Sequence, residues 1–153
     1  MPKLLFLYLH IVSFAAYAGS AVAAGNILKN SKRPGLDPAG RLSWLTAGAS
    51  TITKVELPFA FALILTGVGL LLMTPGFMKA AWMHMKLTLV LIAVILTHLK
   101  MFNAKRMVKA AMAGQSDELM ARGKRQFVFG MLSLALGLVI VGLAVFKPFS
   151  FGN

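Results

Sequence analysis

The stretch from Ala81 to His98 is apolar enough to cross a membrane, yet it contains His84, Lys86 and His98, which can titrate or bind a ligand. A charged side chain inside a membrane span costs roughly 2.5–3.5 kcal/mol on insertion scales, so such residues usually have a function. Because Lys86 lies only about two helical turns from the helix entrance at Lys79, its ammonium could instead reach the lipid headgroups. His84 two residues away and His10 in another apolar stretch favour a site.

The spacing of the histidines limits what they can bind. His84 and His98 are fourteen residues apart, which at about 100° per residue places them on nearly the same helix face, about 21 Å apart along the axis. They cannot bind one metal ion together. Two histidines at this spacing suit a helix that ligates two stacked haems, but only His10 remains to serve on a second helix. The chain alone therefore offers ligands for one haem at most.

His10 and His84 form the better pair for a single iron. The first and third apolar stretches run in the same direction, and helical rise places these two histidines within roughly a few Å of the same depth. His98 lies roughly 15 Å deeper than His10, so it is the less suitable ligand. Two alternatives stay open: His84 as an interfacial residue beside Trp82, and His98 as a rim residue beside Lys100.

The composition is that of a membrane protein, with 58% hydrophobic and 13% charged residues. No cysteine is present, which excludes disulfides, thiolate metal sites and a cysteine nucleophile. The net charge of +12 arises from basic residues that bracket apolar stretches, so we expect contact with membrane lipids and no nucleic-acid binding. The four acidic residues are predicted at or outside the membrane interfaces, which leaves hydrolysis without working groups: Asp37, Glu56, Asp117 and Glu118.

We predict an all-α integral membrane protein, a single four-transmembrane-helix bundle with spans at about 4–24, 55–73, 80–100 and 126–146 and loops at 25–54 and 101–125. Residues 21–24 resemble a signal-peptidase site, but the basic residues that follow favour a retained helix. Asp37-Pro38 is predicted to start a short interfacial helix that contains Trp44. The third helix is predicted to continue to Gly114, and Ser116 to cap the next.

Glycines and charges add two further predictions. Gly67 and Gly69 should allow a close neighbour in the second span, and the last span has a similar set at Gly130, Gly137 and Gly142. The first long loop contains five Lys/Arg residues and the stretch from Lys100 to Arg125 contains seven, whereas the opposite side has only Lys3, Lys79 and Lys147. By the positive-inside rule both termini lie outside (N-out/C-out) and both long loops lie in the cytoplasm.

Four pieces of the chain together resemble a known family. They are the first span LYLHIVSFAAYAG with His10, a second span that opens with Pro58 and carries Gly67, the third-span opening Trp82–Leu87, and the ending Val145–Phe149. The chain is similar in all four spans to the HemJ-type protoporphyrinogen IX oxidases, small bacterial membrane proteins that are CopD-like in appearance. The tryptophan–lysine opening and the Lys-Pro-Phe ending are the most specific of these pieces.

The resemblance implies a bound haem b and oxidation of protoporphyrinogen IX to protoporphyrin IX, with electrons passed to a membrane acceptor. It implies that His10 serves the haem, that Lys86 is required for activity, and that the Trp82–Lys86 opening contributes to cofactor binding. A cation at Lys86 suits this chemistry, because porphyrin propionates bring two negative charges into a low-dielectric site.

Two other functions stay open. One is a non-catalytic haem-binding or structural subunit of a larger electron-transfer complex, and a homo-oligomer is equally compatible with the sequence. The other is a copper or small-solute transporter, which needs a polar path across the bundle. Beyond the histidines only Thr66, Thr88 and Thr97 are available to line one, which is too few.

Overall fold

The computed structural model describes residues 2–146, and the regular secondary structure within this range is all helical, without strands. Four helical units are long and apolar enough to cross a membrane, Pro2–Asn30, Pro38–Leu72, Ala81–Met112 and Ser116–Phe146. The all-α prediction and the number of long apolar helices are therefore confirmed. The predicted stop at Lys147–Phe149 lies outside the described residues.

The chain is built from five α-helices. They are α1 (Pro2–Asn30), α2 (Pro38–Thr51), α3 (Leu57–Leu72), α4 (Ala81–Met112) and α5 (Ser116–Phe146). A π-helical segment, Ile52–Glu56, joins α2 to α3, and a 3₁₀ turn, Pro75–Lys79, precedes α4. We call the end of the bundle where α1 and α4 finish the loop end, and the end with the 3₁₀ turn the turn end.

Local helix-end signals are confirmed. The Gly40 N–H donates to Asp37 Oδ1 at 2.9 Å, and Pro38 opens α2. Gly114 follows the last residue of α4 by two positions and has a φ of 68°, the left-handed conformation that ends helices. Asp117 lies in the first turn of α5, although Ser116 is itself the first helical residue rather than a cap before it.

The short helix predicted in the first loop is not separate from the second span. α2 passes through the π segment into α3 without a break, so residues 38–72 form one helical unit. At the junction the Leu57 N–H donates to Ile52 O, five residues back. Pro58 follows at once and has no N–H to give. The π turn therefore lies directly before the proline, at the point where an α-helix would lack one N–H donor.

The helices pack as two pairs, α1 with α3 and α4 with α5, and α2 lies against both α1 and α4. The apolar core of the described residues lies at the loop end, where these helices converge: Ala24, Leu28, Leu45, Ala49, Ile52, Met101, Ala104 and Met107. Towards the turn end α3 and α4 touch only sparsely. The large apolar side chains there point outwards, as expected of helices that face lipid.

The glycine predictions divide between the two helices. A Cβ on Gly67 would lie 3.3 Å from the His10 ring, and one on Gly69 would collide with the Phe6 ring, so α1 and α3 approach closely there as predicted. For α5 the prediction is wrong. A Cβ on Gly130, Gly137 or Gly142 would meet nothing within 4 Å, so no other described helix comes close to α5 at these positions.

Candidate functional site

His10 lies on the partly buried face of α1 and is fixed by a residue of α3. Its Nδ1 lies 2.9 Å from Thr66 Oγ1, and the Thr66 hydroxyl lies 2.7 Å from the carbonyl oxygen of Ala62. A hydroxyl has one hydrogen, and here it goes to Ala62, so Thr66 accepts from His10. The imidazole proton is therefore on Nδ1. His10 Nε2 has a lone pair available for a ligand.

Gly67 allows this arrangement. The His10 Cε1 atom would lie 3.3 Å from a Cβ at this position, tighter than most real contacts, so a glycine lets the imidazole rest directly against the backbone of α3. Thr66 and Gly67 thus act together, one as the acceptor and the other as the space for the ring. Sequence analysis singled out both residues but did not connect either of them with His10.

Lys86 is the cation of this site. Its side chain is partly buried in α4, and its ammonium is near enough to His10 for a direct electrostatic interaction. Among residues 2–146 it has neither a hydrogen bond nor an ion pair. The carboxylates are engaged or exposed elsewhere: Asp37 at the start of α2, Glu56 on Lys100, Glu118 on Arg122, and Asp117 in solvent. The Lys86 charge is therefore not neutralised within the described chain.

His84 and Trp82 lie at the turn end of α4. His84 is exposed, and its Nε2 donates to the carbonyl oxygen of Met78 at 2.8 Å, which leaves Nδ1 as the nitrogen with a lone pair. Trp82 is 5% exposed and packs edge-on against Phe77, with ring centroids 5.7 Å apart. Within the described range neither His84 nor Trp82 contacts the His10 ring through a hydrogen bond or ring contact.

His98 belongs to a different part of the bundle. Its Nδ1 donates to Val94 O at 2.9 Å, and its ring stands edge-on to Phe61 of α3 at a centroid distance of 6.0 Å. It lies twelve residues beyond Lys86, which is about 18 Å along α4. Across residues 2–146 no group of three or more His, Cys, Asp or Glu is arranged to hold a metal ion. An iron at His10 would thus need most of its ligands from a group such as a porphyrin.

One acidic residue is not where it was predicted. Glu56 was expected at or outside the interface, but it is 0% exposed, and its Oε1 accepts from Lys100 Nζ, which is 3% exposed, at 2.5 Å. The correction has a physical cause. The continuous helical unit of residues 38–72 brings Glu56 inside the bundle, and α4 supplies the cation that makes burial tolerable.

Further buried polar contacts join the helices. The Thr97 hydroxyl donates to Ala93 O at 3.0 Å and accepts from Tyr17 at 3.0 Å, which links α4 to α1. Asn103 Nδ2 donates to Gln126 Oε1 at 2.8 Å, which links α4 to α5. Sequence analysis gave no role to Tyr17, although a helical repeat of polar residues marks one face of α1: His10, Ser13, Tyr17 and Ser20.

Comparison with protein families, with curated proteins and with solved structures gave no match to this chain. The case for a function therefore depends on the geometry of the residues themselves. That geometry is a histidine with a free Nε2, an unneutralised lysine near it, and separate polar contacts towards the loop end.

Proposed function

We propose that the protein is a haem-b membrane oxidoreductase that oxidises protoporphyrinogen IX to protoporphyrin IX and passes the electrons to a membrane acceptor. The observation that carries the proposal is the pairing of His10 with Lys86. His10 has one ring nitrogen free for a ligand, and Lys86, which has no anionic partner among residues 2–146, lies within electrostatic range of it. A tetrapyrrole with carboxylate side chains satisfies both groups at once.

The residues fit a haem by the chemistry of their donors. Histidines that bind metal usually donate through their other ring nitrogen to an oxygen, which fixes the ring and the tautomer. His10 does so through Thr66 and leaves Nε2 free, so it would hold the iron. His84 stays our predicted second ligand, through Nδ1, since its Nε2 is occupied by Met78. A bound haem would supply one-electron transfer.

Lys86 binds and orients the anionic groups of the tetrapyrrole. A carboxylate beside an ammonium in a low-dielectric surrounding gains far more than the same pair in water. Trp82 lies one helical turn before Lys86 on α4, where it is buried and packs against Phe77, and it would offer apolar surface to the tetrapyrrole ring. The substrate is thus held by charge at one edge and by apolar surface over the rest of its ring.

The first test is an optical difference spectrum, dithionite-reduced minus oxidised, of detergent-purified protein made with haem supplied. We expect a b-type signal together with porphyrinogen oxidation. Lys86→Ala should abolish the oxidation and leave the haem spectrum unchanged. Lys79→Ala, which removes an exposed lysine of the 3₁₀ turn, is the matched control and should keep full activity. Undiminished oxidation in Lys86→Ala would overturn the proposal.

The same measurements separate the enzyme from an electron-transfer subunit. A subunit would give the b-type signal, co-purify with partner proteins and show no oxidation in the unchanged chain. It would also fail to rescue a strain that lacks its own oxidase. A flat spectrum would remove the haem and leave the histidines as packing residues.

We further propose a multi-pass arrangement in a bacterial inner membrane, with both termini outside. The support is the concentration of exposed basic residues at the loop end, among them Lys32, Arg33, Lys105, Arg106 and Lys109. The chain contains no cysteine, so single cysteines introduced at Pro34 and at Gly76 report sidedness directly. An impermeant thiol reagent applied to intact cells should label position 76 and spare position 34; the reverse pattern would contradict the orientation.

A further inference from the structure

The ion pair at the loop side of the bundle contains an unsatisfied atom. Glu56 Oε1 accepts from Lys100, but Glu56 Oε2 has no hydrogen-bond partner anywhere in residues 2–146. A buried acceptor without a partner is unfavourable, and a charged one more so. A proton on Oε2, or a water molecule that reaches it, removes this penalty. Glu56 Oε2 can therefore accept a partner that the described residues do not supply.

Apolar packing closes the pair off from the loop end. Ile52 lies one turn before Glu56 and is 0% exposed, and Ala104 lies one turn after Lys100 and is equally buried. Both belong to the apolar core described above. A proton or a water molecule that moves between Glu56 and the loop end would meet these apolar side chains. Asn103, a buried polar residue on that side of Lys100, donates its amide hydrogens to Gln126 and Arg122.

Towards the turn end the surroundings are polar. Thr97 lies three residues before Lys100 on α4, and Tyr17 donates to it from α1. Because the Thr97 hydrogen goes to Ala93, the Tyr17 oxygen keeps its own lone pairs as acceptors. Tyr17 and Glu56 are also close enough to interact electrostatically.

The polar face of α1 continues from there to the site at His10. Ser13 and Ser20 are both 7% exposed and flank Tyr17 at helical spacing, and His10 lies a further turn along the same face. From His10 to Tyr17 the helical rise is about 10.5 Å. The polar face of α1 thus extends from Tyr17, near Glu56, to His10, and its side chains can form hydrogen bonds with water.

We propose that Glu56 is a proton-exchange site, which takes up one proton on Oε2 and releases it again towards the His10 end along the polar face of α1. In the forward step a hydronium ion in that face gives its proton to the Glu56 carboxylate, which leaves water and a neutral carboxyl. The reverse step restores both. Lys100 of α4 is the fixed counter-charge, and Tyr17 of α1 is the other titratable group that faces the carboxyl.

This inference does not depend on haem or on porphyrin chemistry, so it is tested on the purified protein alone. Infrared difference spectra between high and low pH should contain a band from a protonated carboxyl in an apolar surrounding. Glu56→Gln should remove that band. Glu118→Gln, which neutralises the exposed carboxylate on Arg122, is the matched control and should keep it. No such band in the unchanged protein, or the same band in Glu56→Gln, would overturn the proposal.

Three further variants test whether the band is lost for a reason other than unfolding, and whether the proton moves along α1. Glu56→Gln with Lys100→Met removes both charges, so its helical circular dichroism should match the unchanged protein while the band stays absent. Tyr17→Phe should keep the band but slow its shift after transfer into heavy water. Ala16→Ser, on a neighbouring position of the same helix, should not slow that shift. An unchanged rate in Tyr17→Phe would contradict the route along α1.

Discussion

His10 and Thr66 are fifty-six residues apart in the chain, and their side chains meet at 2.9 Å across the α1–α3 contact. The direction of this hydrogen bond follows from a second one, because the Thr66 hydrogen is already given to Ala62. The contact fixes the tautomer of the histidine as well as its position. The hydrogen bond between α1 and α3 thus leaves His10 Nε2 with its lone pair free for a ligand.

Replacing Thr66 with valine keeps the shape of the side chain and removes the acceptor of His10. We expect haem affinity to fall by about 10–100-fold, the usual effect of losing a partner behind a metal-binding histidine. The measurement is a haem titration of apoprotein followed by the Soret band. Thr88→Val is the control, because the Thr88 hydroxyl bonds only to His84 O of its own helix. Equal affinities in the two variants would contradict the role given to Thr66.

A methyl group at Gly67 should push directly on the His10 ring. In Gly67→Ala the new Cβ would lie 3.3 Å from Cε1, so we expect the imidazole to shift and the haem spectrum to change in intensity or spin state. Gly137→Ala is the matched control, since a Cβ there meets nothing within 4 Å. Its spectrum should equal that of the unchanged protein. The test fails if Gly67→Ala is spectrally silent.

Breaking the Glu56–Lys100 pair from one side should be costly. Lys100→Met leaves a buried carboxylate without its cation, and we expect the free energy of unfolding to fall by about 3–5 kcal/mol. Adding Glu56→Leu in the same chain should restore most of it, because no charge is then left in the interior. Denaturation in mixed micelles, followed by circular dichroism, measures both variants.

The exposed pair Arg122–Glu118 is the comparison for that experiment. Arg122→Met should change the free energy of unfolding by less than about 1 kcal/mol, since solvent screens such pairs. Equal effects of Lys100→Met and Arg122→Met would show that burial of the Glu56 pair is not what makes it sensitive.

Asn103 should fasten α4 to α5. Its Nδ2 donates to Gln126 Oε1 and to Arg122 O, at 2.8 and 3.0 Å. Asn103→Leu leaves the buried Gln126 amide without its donor, so we expect a loss of about 1–3 kcal/mol in the free energy of unfolding. Asn26→Leu, at an exposed position of α1, should cost little in the same assay. Similar losses in both variants would show that the hydrogen bonds of Asn103 do not stabilise the contact between α4 and α5.

The helices and their ends were predictable because their signals are local. Asp37 with Pro38 marks the start of α2, and Gly114 marks the end of α4, through contacts within a few residues. The predicted interfacial helix was too short because nothing in the local pattern shows that a π turn carries the helix past Thr51. Continuity there is decided by packing against α1 and α4.

The burial of Glu56 was not predictable by the same means. Its cation is forty-four residues away on α4, so the residues around Glu56 in the sequence indicate only an acidic group near a helix start. Likewise, the glycines of α5 form a regular series in the sequence, but no other described helix comes within 4 Å of a Cβ at those positions. The spacing of Ser13, Tyr17 and Ser20 was available as a signal for the polar face of α1, and it needed only a helical projection.

The π segment Ile52–Glu56 sets the rotational phase of everything that follows it. Each residue turns a helix by about 100°, and a π turn accommodates one residue more than an α turn, so α3 is rotated relative to α2 by that amount. Deleting one residue from the segment would restore an unbroken α-helix and turn Thr66 and Gly67 away from α1. The contacts that orient the His10 ring, which come from Thr66 and Gly67 of α3, therefore depend on a single additional residue in the π segment.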